Sequence, residues 1–473
     1  MVLMAVLDKT QMGRTRAGVS EVECGNRAIL TSHSPHHTSH LDRLVHAPFF
    51  SLKVVRNRAS ASAGKWVWRA SFFGKFDALW GAGSGRIAAA GNGIGMSRVW
   101  FNMKMNARQL LICLSVLLMA CSYSAADEPS PGVRHLLYVC VPGIRGDIKY
   151  GGAGILVYDI DHDHKFVRRI PLAALGDPKK PQPVKGVCAS AVTGRLYFST
   201  PHNLVCIDLL TDRQVWEKTP EYGCDRMSIS PDGKQIYVPT FEGNYWHVID
   251  ASDGNEIAKV ETHSGAHNTV YGLDGAHCYC AGLRSPLLTV ADTKTNTVEK
   301  TVGPFAAAIR PFTVNGSQTL CYVCVNGLLG FEVGDITTGK KLYRIEVQGY
   351  KTGGTLRHGC PSHGVGLTPD EKEVWVTDAH NSHMHIFDNT VMPPKQVASI
   401  ELHDQPGWIT FSRDGKYAYP STCDVIDVKS RKILLALKDE NGGEVQSEKL
   451  MEIDFVGSKP VATGDQFGVG RVK

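Results

Sequence analysis

The sequence contains no apolar run long enough to cross a bilayer as a helix. Its clearest apolar run, residues 110–120, covers only eleven residues. A membrane-spanning helix needs about 20. The sequence therefore predicts no transmembrane segment.

Beyond its first hundred residues the chain also lacks an excess of positive charge. Residues 1–104 hold 14 Lys and Arg against 5 Asp and Glu, which leaves 37 against 41 for the rest of the chain. The formal net charge of +5 thus comes from the N-terminal end alone. Proteins that bind nucleic acid present a basic face or stripe to the phosphates. Nucleic acid is therefore not expected as a partner.

Paired CxxC motifs at zinc-finger spacing are absent as well. Cys278 and Cys280 lie two apart and share one face of a strand, whereas Cys321 and Cys324 lie three apart and point to opposite faces. We expect both pairs to be buried small residues, and a disulfide bond is the alternative. No nucleophile-elbow motif surrounds any serine or cysteine, so covalent catalysis is not indicated.

The N-terminal 104 residues show no pattern typical of a domain. They combine a histidine-containing Ser/Thr stretch with a Gly/Ala-rich stretch that has no apolar periodicity. At Met105 the composition changes: Arg108 supplies a positive charge, residues 110–120 are apolar, and small residues precede Asp127. This order is typical of a signal peptide over residues 105–126. Residues 1–104 are then either a spurious upstream extension, with translation starting at Met105, or a disordered leader.

The end of the predicted signal peptide allows two kinds of processing. Residues 118–121, Leu-Met-Ala-Cys, resemble a bacterial lipobox, in which Cys121 becomes a lipidated N-terminus. Cleavage after Ala126 is the alternative. Both predict an exported body that is secreted, periplasmic or on the cell surface, with a lipid anchor in the first case. Export would allow disulfides among the remaining ten cysteines.

A hairpin turn followed by a β-rich strand recurs along this body. The clearest copies are residues 230–238, 273–280, 368–376 and 412–419, with weaker copies at 192–198 and 315–322. A second motif, such as Val248-Ile249-Asp250 with Ser252-Asp253-Gly254, follows several of them. Successive turns lie about 40 to 50 residues apart, which is the period of a four-stranded propeller blade.

These motifs resemble the YVTN-repeat β-propeller family from residue 134 to the C-terminus. The resemblance implies an all-β fold of seven four-stranded blades over residues 134–473. Residues 137–141 already resemble the second strand of a blade, so the first blade lacks its innermost strand. Residues 451–455 are a candidate for it. The ring would then close by pairing of the N- and C-terminal strands, which removes exposed sheet edges.

The geometry of such blades predicts where function lies. The Asp-Gly turns share one face, and the starts of the inner strands share the other, around the channel mouth. Counting eight residues back from the glycine position of each turn places Asp225, His267 and His363 at that mouth, with Arg310 beside the equivalent position. The other candidates lie in loops or flanking residues of the same face. The predicted ligand-binding residues are Asp225, His267, Arg284, Arg310, His358, His363, Asp378 and His380.

This set allows two kinds of chemistry. His267, His363, His380 and Asp225 are candidate ligands of a divalent metal, since imidazole and carboxylate are usual ligands of zinc and similar ions. They also suit general acid and base roles, with an arginine fixing an anionic substrate. Polar residues that simply line a wet channel are the third interpretation. His383 and His385 are expected in the blade walls, and the loop over residues 142–154 as a flap over the mouth.

Two functions remain open. The first is an exported binding or scaffold module for an extracytoplasmic protein, peptide, glycan or small-molecule ligand. The second is a propeller enzyme, namely a metal-dependent hydrolase or lyase, a lactonase-like enzyme or a redox enzyme. The resemblance modestly favours the binding or scaffold module. It supplies no catalytic motif for the enzyme. The fold alone does not decide between them.

Overall fold

The repeated unit folds as a four-stranded antiparallel sheet, and seven sheets form a propeller. The computed structural model describes residues 132–355 and 357–472, together with one two-stranded pair, Phe50–Ser51 with Ser71–Phe72. The chain divides into two units, residues 1–128 and residues 129–473, and the seven sheets belong to the second. The predicted all-β fold of seven blades is confirmed. The predicted signal peptide and Cys121 lie outside the described residues.

Each blade has its own run of strands, which follow one another from the channel outward. Blade 1 contains Lys459–Thr463, Leu450–Val456, Val133–Val141, Gly154–Asp159 and Lys165–Ile170. Blades 2 and 3 contain Gly186–Ser190, Arg195–Ser199, Leu204–Asp208 and Gln214–Lys218, and then Ser228–Ile229, Gln235–Pro239, Tyr245–Asp250 and Glu256–Glu261. Blades 4 and 5 contain Ala266–Tyr271, His277–Gly282, Leu288–Asp292 and Thr297–Val302, and then Ile309–Val314, Leu320–Val325, Gly330–Asp335 and Lys340–Glu346. Blades 6 and 7 contain Val365–Leu367, Glu373–Asp378, His383–Asp388 and Lys395–Glu401, and then Ile409–Phe411, Tyr417–Pro420, Asp424–Asp427 and Lys432–Ala436. Two 3-10 turns, Ile160–His162 and Ala173–Leu175, complete the regular structure of residues 132–472.

The Asp-Gly turns join the first and second strands of the blades as predicted. In blade 3 the backbone N–H of Gly233 donates to the carbonyl of Ser230 over 2.9 Å, and Gly233 has a φ of +73°. A glycine adopts this left-handed conformation without steric cost. Glu371 occupies the same place in blade 6 with a φ of +60°.

One aromatic residue of each second strand packs between neighbouring blades. Each of these side chains is at most 1% exposed: Tyr138, Tyr197, Tyr237, Tyr279, Tyr322, Trp375 and Tyr419. Several of the tyrosine hydroxyls bond to the following blade, as Tyr237 does to Oδ1 of Asn296 over 2.6 Å. The hydroxyl of Tyr419 in blade 7 lies 2.8 Å from Nε2 of His164 in blade 1. The same position thus fixes blade contacts around the ring, including the closing one.

The two ends of the body pair and close the ring, as predicted. Strand Val133–Val141 pairs antiparallel with Leu450–Val456 over seven residue pairs, from Val133 with Val456 to Val139 with Leu450. The C-terminal strand therefore supplies the inner strand that blade 1 lacked. Strand Lys459–Thr463 adds a fifth strand inside it. Blade 1 consequently has five strands where the sequence predicted four.

The last residues of the chain fill the channel at the turn face. The Gly468 carbonyl accepts from the Thr313 hydroxyl and from the backbone N–H of Leu367, each over 2.8 Å. Phe467 is 3% exposed, and its ring centroid lies 5.8 Å from that of Trp408. This C-terminal segment therefore packs against the inner strands of blades 5 and 6 and against Trp408 of blade 7.

All ten cysteines from residue 140 onward are buried free thiols. They include the pairs Cys278 with Cys280 and Cys321 with Cys324, which are buried small residues as predicted. None of the helices within the described residues has the length and apolar character needed to span a membrane.

Candidate functional site

His267 of blade 4 lies between a carboxylate and a guanidinium at the channel mouth. Its Nδ1 lies 2.6 Å from Oδ2 of Asp225, and NH1 of Arg226 lies 3.1 Å from its Nε2. Because a guanidinium only donates, Nε2 accepts and Nδ1 donates its proton to Asp225. Burial lowers the pKa of His267, which keeps the ring neutral. Both ring nitrogens are therefore occupied within the protein, which leaves none for a metal.

Asp225 is fully buried and carries its charge among three basic groups. Its Oδ1 lies 3.6 Å from Nζ of Lys185 and 3.5 Å from NH1 of Arg226. Burial alone would raise the pKa of Asp225, but His267 and Lys185 outweigh it and hold that pKa well below its usual range. Asp225 is thus an ionised carboxylate neutralised inside the protein.

Glu448 is a second buried carboxylate, on the segment that leads into the inner strand of blade 1. It is 5% exposed, accepts a bond from NH2 of Arg226, and lies 2.6 Å from Nζ of Lys449. Burial would raise the pKa of Glu448, but the charges of Lys449 and Arg226 hold it well below its usual range. Burial and the charge of Arg226 lower the pKa of Lys449 to about 7. Glu448 therefore pairs with Lys449 and also with Arg226, which Asp225 contacts from its other side.

Two histidines of the blade 6 entrance face the same carboxylate. Nδ1 of His358 lies 3.2 Å and Nδ1 of His363 lies 3.6 Å from Oε1 of Glu448. Nδ1 of His363 also lies 2.9 Å from the carbonyl of Gly407. Burial lowers the pKa of His363 well below its usual value. The ligand atoms of His358, His363 and Glu448 lie within 4.8 Å of one another, so this trio is able to hold a metal ion.

The contacts form one buried polar network across the mouth. It runs from Asp225 through His267 and Arg226 to Glu448, and from there to the two histidines of blade 6. Buried charges are costly unless they are paired and hydrogen-bonded. The network therefore fixes the relative positions of blades 3, 4 and 6 and of the C-terminal segment.

Arg284 and Arg310 differ from these paired groups because neither has a carboxylate partner among the residues that the structure describes. Nε of Arg310 donates to Oδ1 of Asn326 over 2.7 Å, and the guanidinium borders Gly359. Arg284 is exposed and runs beside Gly265. Arg284 is thus an exposed guanidinium and Arg310 a half-buried one, and neither is neutralised by a described carboxylate.

Asp378 and His380 lie away from this network. Oδ2 of Asp378 lies 3.2 Å from Nε2 of His385, whose Nδ1 lies 2.8 Å from the Ser399 hydroxyl. His385 is fully buried in the wall of blade 6, as expected. His380 is exposed, and its Nδ1 lies 3.0 Å from the carbonyl of Gly354.

The four side chains expected to form one metal set are thus divided among three places. His267 and Asp225 form one pair, His363 joins His358 and Glu448, and His380 is separate. Within residues 132–355 and 357–472, neither trio with metal-binding spacing contains Asp225, His267 or His380.

The loop of blade 1 reaches across to the entrance of blade 6. Nε and NH2 of Arg145 donate to the carbonyl of Arg357 over 3.1 and 2.9 Å. The guanidinium of Arg357 lies 5.3 Å from the ring centroid of Tyr150. At the base of the loop, Nζ of Lys449 donates to the carbonyl of Gly143 over 3.0 Å. The loop therefore lies next to the buried network, where a flap was expected.

Sequence reasoning missed Arg226, Glu448, Lys449 and Lys185. A signal for two of them was present. Once residues 451–455 are assigned as the inner strand of blade 1, the residues just before them fall at the mouth, as the backbone bond from Cys140 N–H to the Lys449 carbonyl shows.

Comparison with known proteins gives little beyond the fold. No protein-family model matches the chain. No curated protein matches it. Among solved structures, hydrazine synthase of Kuenenia stuttgartiensis is 14% identical, with a TM-score of 0.47 over 59% of this chain and 88% of that chain. The β-propeller domain of Cps50 (Swd1) from Myceliophteria thermophila is 12% identical, with a TM-score of 0.45 over 62% of this chain and 94% of that chain. At these values the likeness carries no functional argument.

Proposed function

We propose that this protein is an exported binding propeller that holds a negatively charged ligand at its channel mouth. The observation that carries the proposal is the unequal pairing of charges there. The carboxylates of Asp225 and Glu448 are neutralised by Lys185, Arg226 and Lys449. Arg284 and Arg310 have no carboxylate partner within the described part of the chain. The mouth face therefore offers two guanidinium groups that no carboxylate of the described residues neutralises.

The chemistry of these groups defines the ligand class. A guanidinium presents a planar set of donors that fits a carboxylate, sulfate or phosphate in a bidentate way. The ligand is an acidic group carried by an extracytoplasmic protein, peptide, glycan or small molecule.

The sequence motifs support the cellular setting of this proposal. The repeated turns support descent from YVTN-type repeats. The pattern at residues 105–126 supports export through a signal peptide, and Cys121 supports a lipid anchor. The propeller of residues 129–473 would then act in the periplasm, outside the cell or at its surface.

Binding of charged probes tests the proposal. Decaglutamate and an oligogalacturonate are titrated into the purified protein by calorimetry, beside decaglutamine and a neutral oligogalactose. We expect at least one acidic probe to bind, both neutral probes to fail, and the affinity to fall as salt rises. Failure of both acidic probes, or equal binding of their neutral counterparts, would contradict the proposal.

A metal-dependent enzyme is the second candidate, favoured by the trio of His358, His363 and Glu448. Two imidazoles and one carboxylate are a common ligand set for a catalytic metal. It ranks second because Arg226 and Lys449 already neutralise Glu448, and a divalent ion would add to their positive charge. Elemental analysis of the wild type and of a His358→Gln/His363→Gln variant distinguishes the two. A stoichiometric metal that is present in the wild type and absent from the double variant would favour the enzyme.

A further inference from the structure

A second polar cluster lies at the seam where the two ends of the body pair. His135 belongs to the N-terminal strand of blade 1, and Glu452 and Asp454 belong to the C-terminal strand paired with it. His135 pairs directly with Asp454, and Glu452 lies two residues earlier on the same face. Candidate ligand atoms of these three residues lie within 4.8 Å of one another.

The histidine of this cluster is oriented as metal-binding histidines are. Its Nδ1 lies 2.8 Å from Oδ1 of Asp161, and its backbone N–H donates to Oδ2 of the same residue over 2.8 Å. A histidine that binds a metal usually donates its other ring N–H to a carboxylate, which fixes the ring and raises its basicity. Asp161 thus leaves Nε2 of His135 available. The His135 side chain is 37% exposed, which gives an ion access from solvent.

The two carboxylates are buried and have few donors. Asp454 is 2% exposed, and its Oδ1 receives no hydrogen bond from any described residue. Its Oδ2 pairs with NH1 of Arg413, whose backbone N–H donates to Oε2 of Glu452 over 2.8 Å. One arginine therefore serves two adjacent acids, and one buried oxygen is left without a donor.

We propose that His135, Glu452 and Asp454 bind a divalent cation that joins the two ends of the propeller. One imidazole nitrogen and two carboxylates suit a borderline ion such as Zn²⁺, and also Mn²⁺. The ion would hold together strands that are more than 300 residues apart in the sequence. A proton shared between the two acids is the alternative way to satisfy the pair.

Thermal unfolding of metal-free protein tests this site. The full chain is freed of metal with EDTA, dialysed, and melted with and without ZnCl2 or MnCl2. An ion present at a hundredfold excess over its Kd is expected to raise the Tm by about 5 °C. Amide exchange should slow in strands Val133–Val141 and Leu450–Val456 and stay unchanged in blade 4.

Variants separate this site from the mouth. His135→Gln changes a partly exposed side chain, so it should fold, and it should abolish the Tm rise. His363→Gln should keep the rise in full, as should His277→Gln, which alters a histidine of similar exposure in blade 4. No rise in the wild type with either ion, or an equal rise in His135→Gln, would overturn the proposal. Binding of acidic ligands at the mouth is independent of either result.

Discussion

The guanidinium of Arg226 donates to the carboxylate of Glu448 across 222 residues of sequence. Arg226 begins blade 3, and Glu448 lies on the segment that returns to complete blade 1. Both side chains are almost fully buried, at 3% and 5% exposure. Their pairing connects the structural closure of the ring with the polar network of the mouth.

Glu448→Gln is expected to destabilise the protein strongly. The substitution leaves Arg226 and Lys449 buried without their carboxylate, and breaking a buried ion pair in this way costs about 3–5 kcal/mol. Urea unfolding measures the free energy of unfolding. The control is Glu440→Gln, which breaks the partly exposed pair with Arg169 and should cost less than about 1 kcal/mol. Equal effects of the two variants would contradict the buried network.

Stability is expected to fall as the pH decreases from about 6.5 to 4. Burial lowers the pKa of His164 to about 4, so its ring stays neutral in the folded protein. The unfolded chain takes up a proton near pH 6.5 and therefore binds more protons throughout this range. His164 alone then accounts for a loss on the order of 3 kcal/mol, complete near pH 4.

Unfolding free energies between pH 4 and 8 check this dependence. His164→Gln should make the curve less steep because glutamine does not titrate, whereas His267 and His363, whose pKa values burial also lowers, keep part of the slope. His162→Gln, at a side chain that is 76% exposed, should leave the slope unchanged. A wild-type curve that is level across this range would refute the assignment.

Phe467→Ala is expected to lower the free energy of unfolding by about 3–5 kcal/mol, the usual cost of truncating a buried phenylalanine. Its ring centroid lies 5.8 Å from that of Trp408, and the side chain is buried. Val472→Ala, at a residue that is 48% exposed, is the control and should change little. Should Phe467→Ala prove as mild as the control, the C-terminal segment would not be part of the packed channel.

The ten cysteines of the propeller are expected to resist thiol reagents in the folded protein. Burial raises the pKa of Cys321 and of Cys360 to about 12, so their reactive thiolate forms are scarce at neutral pH. Iodoacetamide labelling followed by peptide mapping should modify these residues only after unfolding. A disulfide found among them, or rapid labelling of the native protein, would contradict this expectation.

The fold could be predicted largely from the sequence because its signals are local and repeated. Turns such as the one at Gly233 recur in six blades, and the β-rich strand at residues 137–141 indicates the seventh. The five-stranded first blade and the channel-filling Phe467 were missed because both belong to the non-repeating C-terminus. No turn pattern marks where such a segment packs.

The mouth could be predicted only in part. Counting back from the turns brought Asp225 and His267 to one opening, and in the structure the two side chains are in contact. It did not show that Arg226 would occupy the second nitrogen of His267, since that depends on side-chain direction. Glu448 was missed because it lies between blades, outside any repeat.

The most direct test of the account compares two arginine variants in the binding of whichever acidic probe binds the wild type. Arg310→Gln removes an unpaired guanidinium at the mouth, whereas Arg344→Gln removes one already paired with Glu332 and Glu346 on an outer strand. Titration calorimetry should show at least a tenfold weaker Kd for Arg310→Gln, which corresponds to about 1.4 kcal/mol, and an unchanged Kd for Arg344→Gln. An unchanged Kd for Arg310→Gln, or an equal loss in both variants, would contradict binding of an acidic ligand at the channel mouth.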